Sequence, residues 1–266
     1  TIRSVLLQGY PNLEYIVMDG GSTDESVGII QKYAPWIDYW VSEADEGQSN
    51  ALNRGFCTAT GHILAYINSD DIYLYGAFRR VAVAFRETNA DVIAGSILKV
   101  PADDVVEPVI KSNLFESIAS INSSISQPGT FWRKSSLIPA FDESFNCVFD
   151  RKFFMELMSR GASFQTLPNT IATFRSHKES KTQNLKEVFF HENIVLNRQM
   201  ALKLSEPECD KALRIIDLEE SRFKLHSANR SRLGAVRTIL SVVIRQPQLL
   251  LRREFFGRIR KLLTEK

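Results

Sequence analysis

Short apolar runs alternate with helical patterns through the first part of the chain, and this alternation constrains the fold more than any other sequence feature. The apolar runs and the helical patterns follow one another at residues 13–18, 20–33, 37–42, 47–59, 62–67, 76–88 and 91–96. Strands that alternate with helices form a mostly parallel sheet that is covered by helices on both faces. The sequence therefore predicts an α/β fold of this kind.

The remainder of the chain changes from a mixed pattern to a helical one. Its patterns predict a loop at 99–111, a helix at 112–121, a strand at 129–134, a helix at 150–161 and short strands at 163–168 and 170–175. From residue 186 the pattern is helical, with breaks near Pro207 and Pro247. We therefore expect an α/β domain over residues 1–182 and a helical extension over residues 183–266.

Two of the predicted strands end in acidic residues. The run at 13–18 leads into Asp19, and the run at 62–67 leads into a turn that contains Asp70 and Asp71. The carboxyl ends of parallel strands meet at the edge where such sheets bind ligands, so both groups should face one site. Adjacent carboxylates repel each other, and Mg²⁺ or Mn²⁺ would relieve that repulsion. An Asp-Asp pair is also common in ordinary turns, but the second acidic strand end favours an ion.

The segment after Asp19 has a glycine turn followed by a helical pattern. Ser22 and Glu25 have the spacing of a capping box, which predicts a helix start here. The segment lacks the lysine of a phosphate-binding P-loop and the glycine pattern of a dinucleotide site. On its own it predicts a turn and a capped helix.

The charge is distributed unevenly along the chain. The net charge of the whole protein is +2, but residues 222–266 contain 12 Lys or Arg and two Glu, so this tail is strongly basic. Such a tail is either a set of solvated helix faces or a surface attracted to anionic membrane lipids. Basic residues interleaved with aromatic ones, which would favour nucleic acid, are not found in the sequence.

The cysteines give no sign of a disulfide framework or a zinc site. Cys57, Cys147 and Cys209 are widely separated and form no CxxC pair. This usage is typical of a reducing compartment. We therefore expect a cytoplasmic protein whose basic tail associates with the inner membrane face.

Six segments carry a family resemblance. They are GYPNLEYIVMDGGSTDES, VSEADEGQSNALNRGF, ATGHILAYINSDDIY, QPGTFWRK, FDESFNCVFDRKFFMELMSRG and FRSHKESKT, and the resemblance covers roughly residues 1–182. In this order and spacing they resemble family 2 of the inverting glycosyltransferases, which have the A-type, Rossmann-like nucleotide-sugar-binding fold. The resemblance implies metal-dependent transfer of a sugar from a nucleotide diphosphate donor, expected to be UDP-linked. The expected acceptor is a hydroxyl of a glycan or lipid-linked glycan in cell-envelope polysaccharide synthesis.

The resemblance also implies donor-binding residues. Asp19 matches the acid that contacts the nucleotide base, while Gly20 stands where many relatives have a second acid. Gln48 and Asn53 occupy positions at which relatives contact the nucleotide sugar. The implied nucleotide-sugar site therefore contains Asp19, Gln48, Asn53 and Asp70.

The turn NSDD matches the family's DxD-type metal motif, with Asn68 in place of the first acid. The resemblance assigns Asp71 to Mg²⁺ or Mn²⁺ and Asp70 to the ribose or a shared contact. His177, in FRSHKESKT, would complete the metal shell or contact the diphosphate, with Lys181 beside it. The alternative for His177 is an ordinary surface or packing histidine.

Asp150 matches the catalytic base of the family. An acceptor hydroxyl is a weak nucleophile and must lose its proton as it attacks the anomeric carbon. Without the resemblance, a carboxylate at a helix start would be explained by the helix dipole alone. Phe149 stands where relatives usually have another acid.

Two departures leave other classes of protein open. Relatives begin with a strand and a loop ahead of the segment TIRSVLLQGYPN, so we expect ~10–20 further residues before Thr1 in the intact protein. A nucleotidyltransferase would share the alternating pattern and the acidic site, but it should have a basic glycine-rich loop near its start. A catalytically inactive nucleotide- or glycan-binding module is the other alternative, since Gly20 and Asn68 each remove an acid.

Overall fold

A computed structural model describes residues 1–111, 113–120, 125–135 and 137–227, with side chains described as far as residue 224. The α-helices in these ranges are α1 Ile2–Leu6, α2 Ser26–Tyr33, α3 Gln48–Thr58, α4 Ala77–Glu87, α5 Leu114–Ala119, α6 Phe149–Ser159, α7 Lys181–Asn184, α8 Lys186–Ala201 and α9 Glu206–Ser227. The strands are β1 Ile16–Asp19, β2 Tyr39–Ser42, β3 Ile63–Leu64, β4 Ile72–Tyr73, β5 Val92–Val100, β6 Asp104–Val106, β7 Thr130–Arg133 and β8 Phe164–Arg175.

The described strands form two sheets. β1 pairs in parallel with β2, and a larger sheet has the order β3-β7-β5-β8-β4, with β6 on β5. The predicted α/β class is confirmed. Within the larger sheet β5 and β8 are parallel, whereas the other pairs are antiparallel, so the pairing is mixed rather than mostly parallel. The alternation of strands and helices predicts how strands that follow each other in the chain pair. In this sheet most of the paired strands lie far apart in the chain, so their direction could not be predicted from it.

Strand β8 corrects the prediction of two short strands at 163–168 and 170–175. It is one strand of 12 residues that follows β5 in parallel, with register shifts around Ser96. Gly95 is required beside this irregularity, because a Cβ atom there would lie 2.6 Å from Cδ1 of Ile171. The continuous strand brings Arg175 to the acidic turn described below.

Helix α4 packs one face against the larger sheet. Ala77, Val81 and Phe85 recur at the spacing of one helix face, and all three are buried. They share a core with Ile93 of β5 and Ile171 of β8. This packing fixes the middle strands of the sheet.

An aromatic cluster joins β7 to the helices that carry candidate site residues. Trp132 is 1% exposed, and its ring lies 5.0 Å from that of Phe153 in α6 and 5.4 Å from that of Phe56 in α3. Phe141 stacks on Phe153 at 4.5 Å. Removing a buried ring of this kind typically costs about 3–5 kcal/mol, so the cluster is a major support of α3 and α6.

The chain divides into two compact units, Thr1–Leu196 and Asn197–Lys266. Within the predicted extension, helices α8 and α9 extend as far as Ser227, and residues 228–266 lie outside the described residues. The functional boundary after residue 182 stays a prediction. In the part of the chain that the structure describes, no helix combines the length and the apolar character needed to cross a bilayer.

Candidate active site

Asp19 closes β1 and is surrounded by hydrogen-bond donors. Its Oδ2 accepts from the amides of Gly21 (3.2 Å) and Ser22 (2.9 Å) and from the Ser42 hydroxyl (2.6 Å), and its Oδ1 accepts from the Ser22 hydroxyl (2.5 Å). Burial alone would raise the pKa of Asp19, but these hydrogen bonds outweigh it and lower the pKa. The carboxylate is therefore ionised and shapes the turn that follows β1.

The predicted capping box after Asp19 is wrong. Helix α2 begins at Ser26, its N-cap is Glu25, and it has no side-chain capping bond. Ser22 instead donates to Asp19, because the strand end offers a charged acceptor at closer range.

Gly20 leaves room for a different carboxylate. A Cβ atom at this position would lie 2.6 Å from Oδ2 of Asp45. The other carboxylate oxygen of Asp45 accepts from the amide of Gly47 at 2.9 Å. Although the second acid of many relatives is absent at position 20, Asp45 brings a carboxylate to the end of β1.

The acidic turn after β3 is held from the N-terminal side. The Thr1 hydroxyl lies 2.6 Å from the carbonyl of Asp71 and 2.7 Å from that of Ser69, so its single proton is shared between them. In the same helix region, the Ser4 hydroxyl accepts from the amide of Tyr73 at 3.1 Å. These contacts fix the backbone on which Asp70 and Asp71 sit.

Asp71 points inward. It is 1% exposed, and its Oδ1 accepts from the Arg175 amide at 2.9 Å. Within the described residues its buried Oδ2 has no hydrogen-bond partner. Burial, reinforced by the neighbouring charge of Asp70, raises the pKa of Asp71 to about 6. A buried carboxylate oxygen without a donor is an available ligand for a cation.

Asp70 points toward the segment that follows β8. Its Oδ2 lies 2.9 Å from Nε2 of His177, and both side chains are more than a third exposed. The structure thus brings Asp70 and His177 together, as the sequence predicts for residues of one site.

A chain of amide contacts connects the remaining polar residues of the site. Gln48 donates to Oδ1 of Asn68 at 2.7 Å and accepts from Nζ of Lys181 at 3.3 Å. Lys181 also donates to Oδ1 of Asn146 at 3.0 Å. At the other end, Asn68 donates to Oε1 of buried Gln127 at 3.5 Å. The network joins the start of α3, the acidic turn, the segment after β8 and the loop before α6.

Asn53 is engaged in the fold. Its amide donates to the carbonyl of Phe141 at 2.9 Å and to Glu143 at 2.8 Å, and its Oδ1 accepts from the Phe141 amide at 2.8 Å. Every described contact of this side chain ties α3 to the loop at 141–143. Its role in donor binding stays a prediction.

Asp150 lies half-buried in the first turn of α6. Its Oδ1 accepts from the Arg151 amide at 2.7 Å. Burial raises the pKa of Asp150, and the hydrogen bond and the Arg151 charge only partly oppose this effect. A carboxylate with a raised pKa takes up a proton more readily, as a general base must.

Ring contacts of Tyr66 connect the acidic turn to the residues beside Asp150. Its ring packs on Phe141 at 5.6 Å, and Phe141 packs on Phe149 at 5.8 Å. Burial raises the pKa of the Tyr66 phenol far above its usual range, with further contributions from the charges of Asp150 and Asp71. Tyr66 is partly buried, and the charges of both carboxylates reach its phenol.

Sequence reasoning missed four residues of this arrangement, namely Asp45, Tyr66, Gln127 and Asn146. All four lie inside the segments that carry the family resemblance, and this position in the sequence is the one signal that could have identified them. Their residue types are ordinary for turns and cores, and only the folded contacts reveal them.

Comparison with known proteins gives the class. A family model described as glycosyl transferase family 2 matches residues 1–158, more than half of the chain. The chain belongs to glycosyltransferase family 2. This membership favours the glycosyltransferase interpretation over the nucleotidyltransferase alternative.

Two curated relatives agree with this assignment. An uncharacterised glycosyltransferase of Nostoc sp. is 30% identical over 141 residues, covering 49% of this chain and 42% of the relative. A PGL/p-HBAD biosynthesis glycosyltransferase of Mycobacterium bovis is 32% identical over 102 residues, covering 36% of this chain and 40% of the relative. The match thus spans less than half of either relative.

Among solved structures, the chain is similar to TarS of S. aureus. The TarS 1–349 structure in complex with UDP has a TM-score of 0.63 and 19% identity, and the match covers 98% of this chain and 85% of that one. The TarS complex with UDP-GlcNAc has a TM-score of 0.61 and 18% identity, with the same coverage. These likenesses show the A-type glycosyltransferase fold.

Proposed function

We propose that the intact protein transfers a sugar from a UDP-linked donor to a hydroxyl group, with inversion at the anomeric carbon. The carrying observation is the path of ring contacts from Tyr66, just before the acidic turn, through Phe141 to Phe149, which precedes Asp150 in the first turn of α6. A family 2 enzyme needs one carboxylate at the acceptor hydroxyl and others at the donor, and this arrangement offers both.

The acceptor side is assigned to Asp150. Its carboxylate takes the proton from the acceptor hydroxyl as the oxygen attacks the anomeric carbon from the face opposite the diphosphate. The bond to the diphosphate breaks in the same step, and its electrons leave with the nucleotide. Inversion follows because attack and departure occur on opposite faces.

The donor side is assigned to the end of β1 and to the amide network. Asp19 shapes the turn expected at the nucleotide base, while Asp70, Gln48 and Asn53 are the further proposed donor contacts. Lys181 is the cation of the described network, so it is suited to a diphosphate oxygen. The UDP and UDP-GlcNAc complexes of TarS support a UDP-linked donor.

A divalent ion fits the acidic turn. The described residues include no group of three His, Cys, Asp or Glu side chains that would hold a metal by themselves. Mg²⁺, however, is commonly held by one or two carboxylates together with phosphate oxygens and water. The unpaired Oδ2 of Asp71 suits such a site, with Asp70 and His177 beside it. When bound, Mg²⁺ or Mn²⁺ supplies charge stabilisation for the departing diphosphate.

The acceptor and the location of the protein extend this proposal. A glycan or lipid-linked hydroxyl in cell-envelope synthesis is supported by the name of the M. bovis relative, which refers to PGL/p-HBAD biosynthesis. A cytoplasmic enzyme at the inner membrane face would meet such an acceptor.

The test is a donor panel. The full-length protein is incubated with UDP-, GDP- and TDP-sugars and with Mg²⁺, Mn²⁺ or EDTA, and release of nucleotide diphosphate is measured. We expect release from a UDP-sugar that stops in EDTA. Tight UDP binding without release from any donor, with acceptor extracts present, would contradict the enzyme assignment and support an inactive nucleotide-binding module.

A further inference from the structure

Helix α8 lies beyond the residues that the family model matches, yet it contacts the helix of the candidate base. The match ends at residue 158, and α8 begins at Lys186. In the middle of α8, Glu192 bonds to residues 146–148 and Asn193 bonds to Arg151, so the two contacts lie on either side of Asp150 in sequence.

Glu192 binds three consecutive backbone amides ahead of α6. Its Oε1 accepts from the amide of Asn146 at 3.0 Å, and its Oε2 accepts from those of Cys147 at 2.8 Å and Val148 at 3.1 Å. Val148 is the N-cap of α6 and makes no side-chain capping bond. The carboxylate thus satisfies, from another helix, the N-cap amide of α6 and the two backbone amides before it. Its negative charge also suits the positive end of the helix dipole.

Asn193 fixes the other side of Asp150 through Arg151. Its Oδ1 accepts from Nη1 of Arg151 at 2.7 Å, and Nη2 of Arg151 donates to the carbonyls of Ser117 at 2.9 Å and Ser120 at 3.3 Å. Arg151 is only 6% exposed. Burial lowers its pKa to about 10, so the side chain stays charged at neutral pH.

We propose that Glu192 is a positioning residue, which fixes the first turn of α6 and thereby the place and direction of the Asp150 carboxylate. This inference rests on the proposed role of Asp150 as the base. Glu192 binds the backbone amide of Val148, two residues before Asp150. Asn193 binds the side chain of Arg151, the residue after Asp150. A carboxylate supported in this way stays aligned with the acceptor hydroxyl, and misplacement by about 1 Å can cost a factor of ~10² in rate.

The same contact reaches the donor side. Glu192 binds the backbone amide of Asn146. The side-chain oxygen of Asn146 accepts from Lys181, which also donates to Gln48. Glu192 therefore fixes the loop that lies between the base helix and the donor-side network.

The test compares Glu192→Ala and Glu192→Gln with Glu187→Ala in the full-length protein. Glu187 is an exposed residue in the first turn of the same helix, so it is a matched control. We measure amide hydrogen exchange over residues 144–150, turnover, and the Kd for UDP. In Glu192→Ala we expect faster exchange and kcat lower by ~10–100-fold, with a smaller rise in the Kd for UDP, because Asn146 is only one of the partners of Lys181. Glu192→Gln keeps one acceptor oxygen, so its exchange rate and its kcat should lie between those of Glu192→Ala and the wild type.

Each outcome bears on the inference separately from the base assignment. Unchanged exchange in Glu192→Ala would overturn the contact itself, and faster exchange with unchanged kcat would overturn the positioning role. Hydrogen exchange does not depend on activity, so it tests the contact even if Asp150→Asn proves the base assignment wrong. If Glu192→Ala does not fold, Glu192→Gln carries the same comparison with smaller expected changes.

Discussion

Asp70 and Asp71 are neighbours in sequence, but their side chains have different surroundings. Asp70 is partly exposed and meets His177, while Asp71 is buried against the amide of Arg175. One turn therefore carries a carboxylate that water reaches and one that it does not. A buried charge without full compensation destabilises the fold, and function is the usual reason for retaining it.

The first prediction concerns the stability cost of Asp71. Its pKa is raised to about 6 in the fold, so folding disfavours the ionised form, and this cost is present above pH 6 and vanishes below about pH 4. In metal-free protein at pH 7.5, Asp71→Asn should therefore raise the free energy of unfolding by about 1–3 kcal/mol, while metal-dependent turnover falls by orders of magnitude. Urea denaturation in EDTA at pH 7.5 and pH 4 measures the difference. A less stable variant at pH 7.5 would contradict the prediction, as would a wild-type rate at saturating Mg²⁺ or Mn²⁺.

The second prediction concerns Asp150. Asp150→Asn should lower kcat by ~10²–10⁴-fold with little change in UDP affinity, because a general base acts in the transition state. Asn keeps a side-chain oxygen that accepts from the Arg151 amide, so the melting temperature should be retained. The raised pKa of Asp150 means that wild-type turnover should fall as the pH drops through a value above the ordinary carboxyl range of about 4. Near-normal kcat in the variant would make Asp142 and Glu143 the next candidates.

For single residues, the sequence pattern predicted which acids belong to the site. The contacts that those acids make are known only from the structure. Asp19, Asp70 and Asp71 follow from the sequence pattern, because they come after apolar runs, but the structure places Asp70 and Asp71 directly before β4 rather than at the end of β3. Whether the Ser22 hydroxyl accepts from a helix amide or donates to Asp19 depends on which partner lies closer in the folded turn. No sequence pattern ranks these two contacts.

Helix α3 illustrates the scale of the element. It was predicted from its apolar spacing at 47–59 and is found at Gln48–Thr58. Its two ends serve different purposes, since Gln48 reaches the acidic turn and Asn53 binds the loop at 141–143. The element was predictable because its periodicity is local, whereas the partners of its polar residues are distant in sequence.

The third prediction tests whether Asn53 supports the fold or contacts the donor. Asn53→Ala should lower the free energy of unfolding by about 2–3 kcal/mol, because it leaves the carbonyl and amide of Phe141 without partners. Asn50→Ala is the matched control on the same helix. The side chain of Asn50 donates to exposed Glu143 at 3.1 Å, and the loss of this contact should cost less than about 1 kcal/mol. If Asn53→Ala unfolds like the wild type but binds UDP tenfold more weakly, the donor-contact role is correct.

Strand lengths were the least predictable feature of the elements. The run at 62–67 yields only the two-residue strand β3, since pairing with β7 ends after Leu64. Conversely, the runs at 163–168 and 170–175 merge into β8, because β5 offers a continuous partner across the irregularity. Strand limits are set by the neighbouring strand, which the local sequence does not contain.

At the scale of the whole molecule, charge separates along the chain. Residues 222–266 are strongly basic, and the preceding residues carry an excess of acids. The sequence predicts this asymmetry fully, since it needs only a count. The arrangement of residues 228–266 lies outside the described residues, so the membrane interpretation is a prediction from composition.

The fourth prediction tests that interpretation. The full-length protein should bind vesicles that contain phosphatidylserine, and binding should fall steeply between 0.1 M and 1 M salt, where the screening length drops from about 10 Å to about 3 Å. Vesicles of phosphatidylcholine alone are the control and should bind little. Binding that is equal at both salt concentrations, or absent on anionic vesicles, would leave solvated helix faces as the explanation.

The close approach of Asp45 to Gly20 has a consequence for how such chains diverge. Because the two positions compete for one volume, a carboxylate should occupy either position 20 or the side-chain site of Asp45, and substitutions at the two positions should be epistatic. Gly20→Asp alone should weaken UDP binding, since it displaces Asp45 from the amide of Gly47 and adds a like charge. The double variant with Asp45→Gly should recover affinity, and a double-mutant cycle on UDP binding measures the coupling. Additive effects would mean that the two sites diverge independently. Coupled effects would mean that the carboxylate moves between the two positions only when both change, because the single Gly20→Asp step weakens UDP binding.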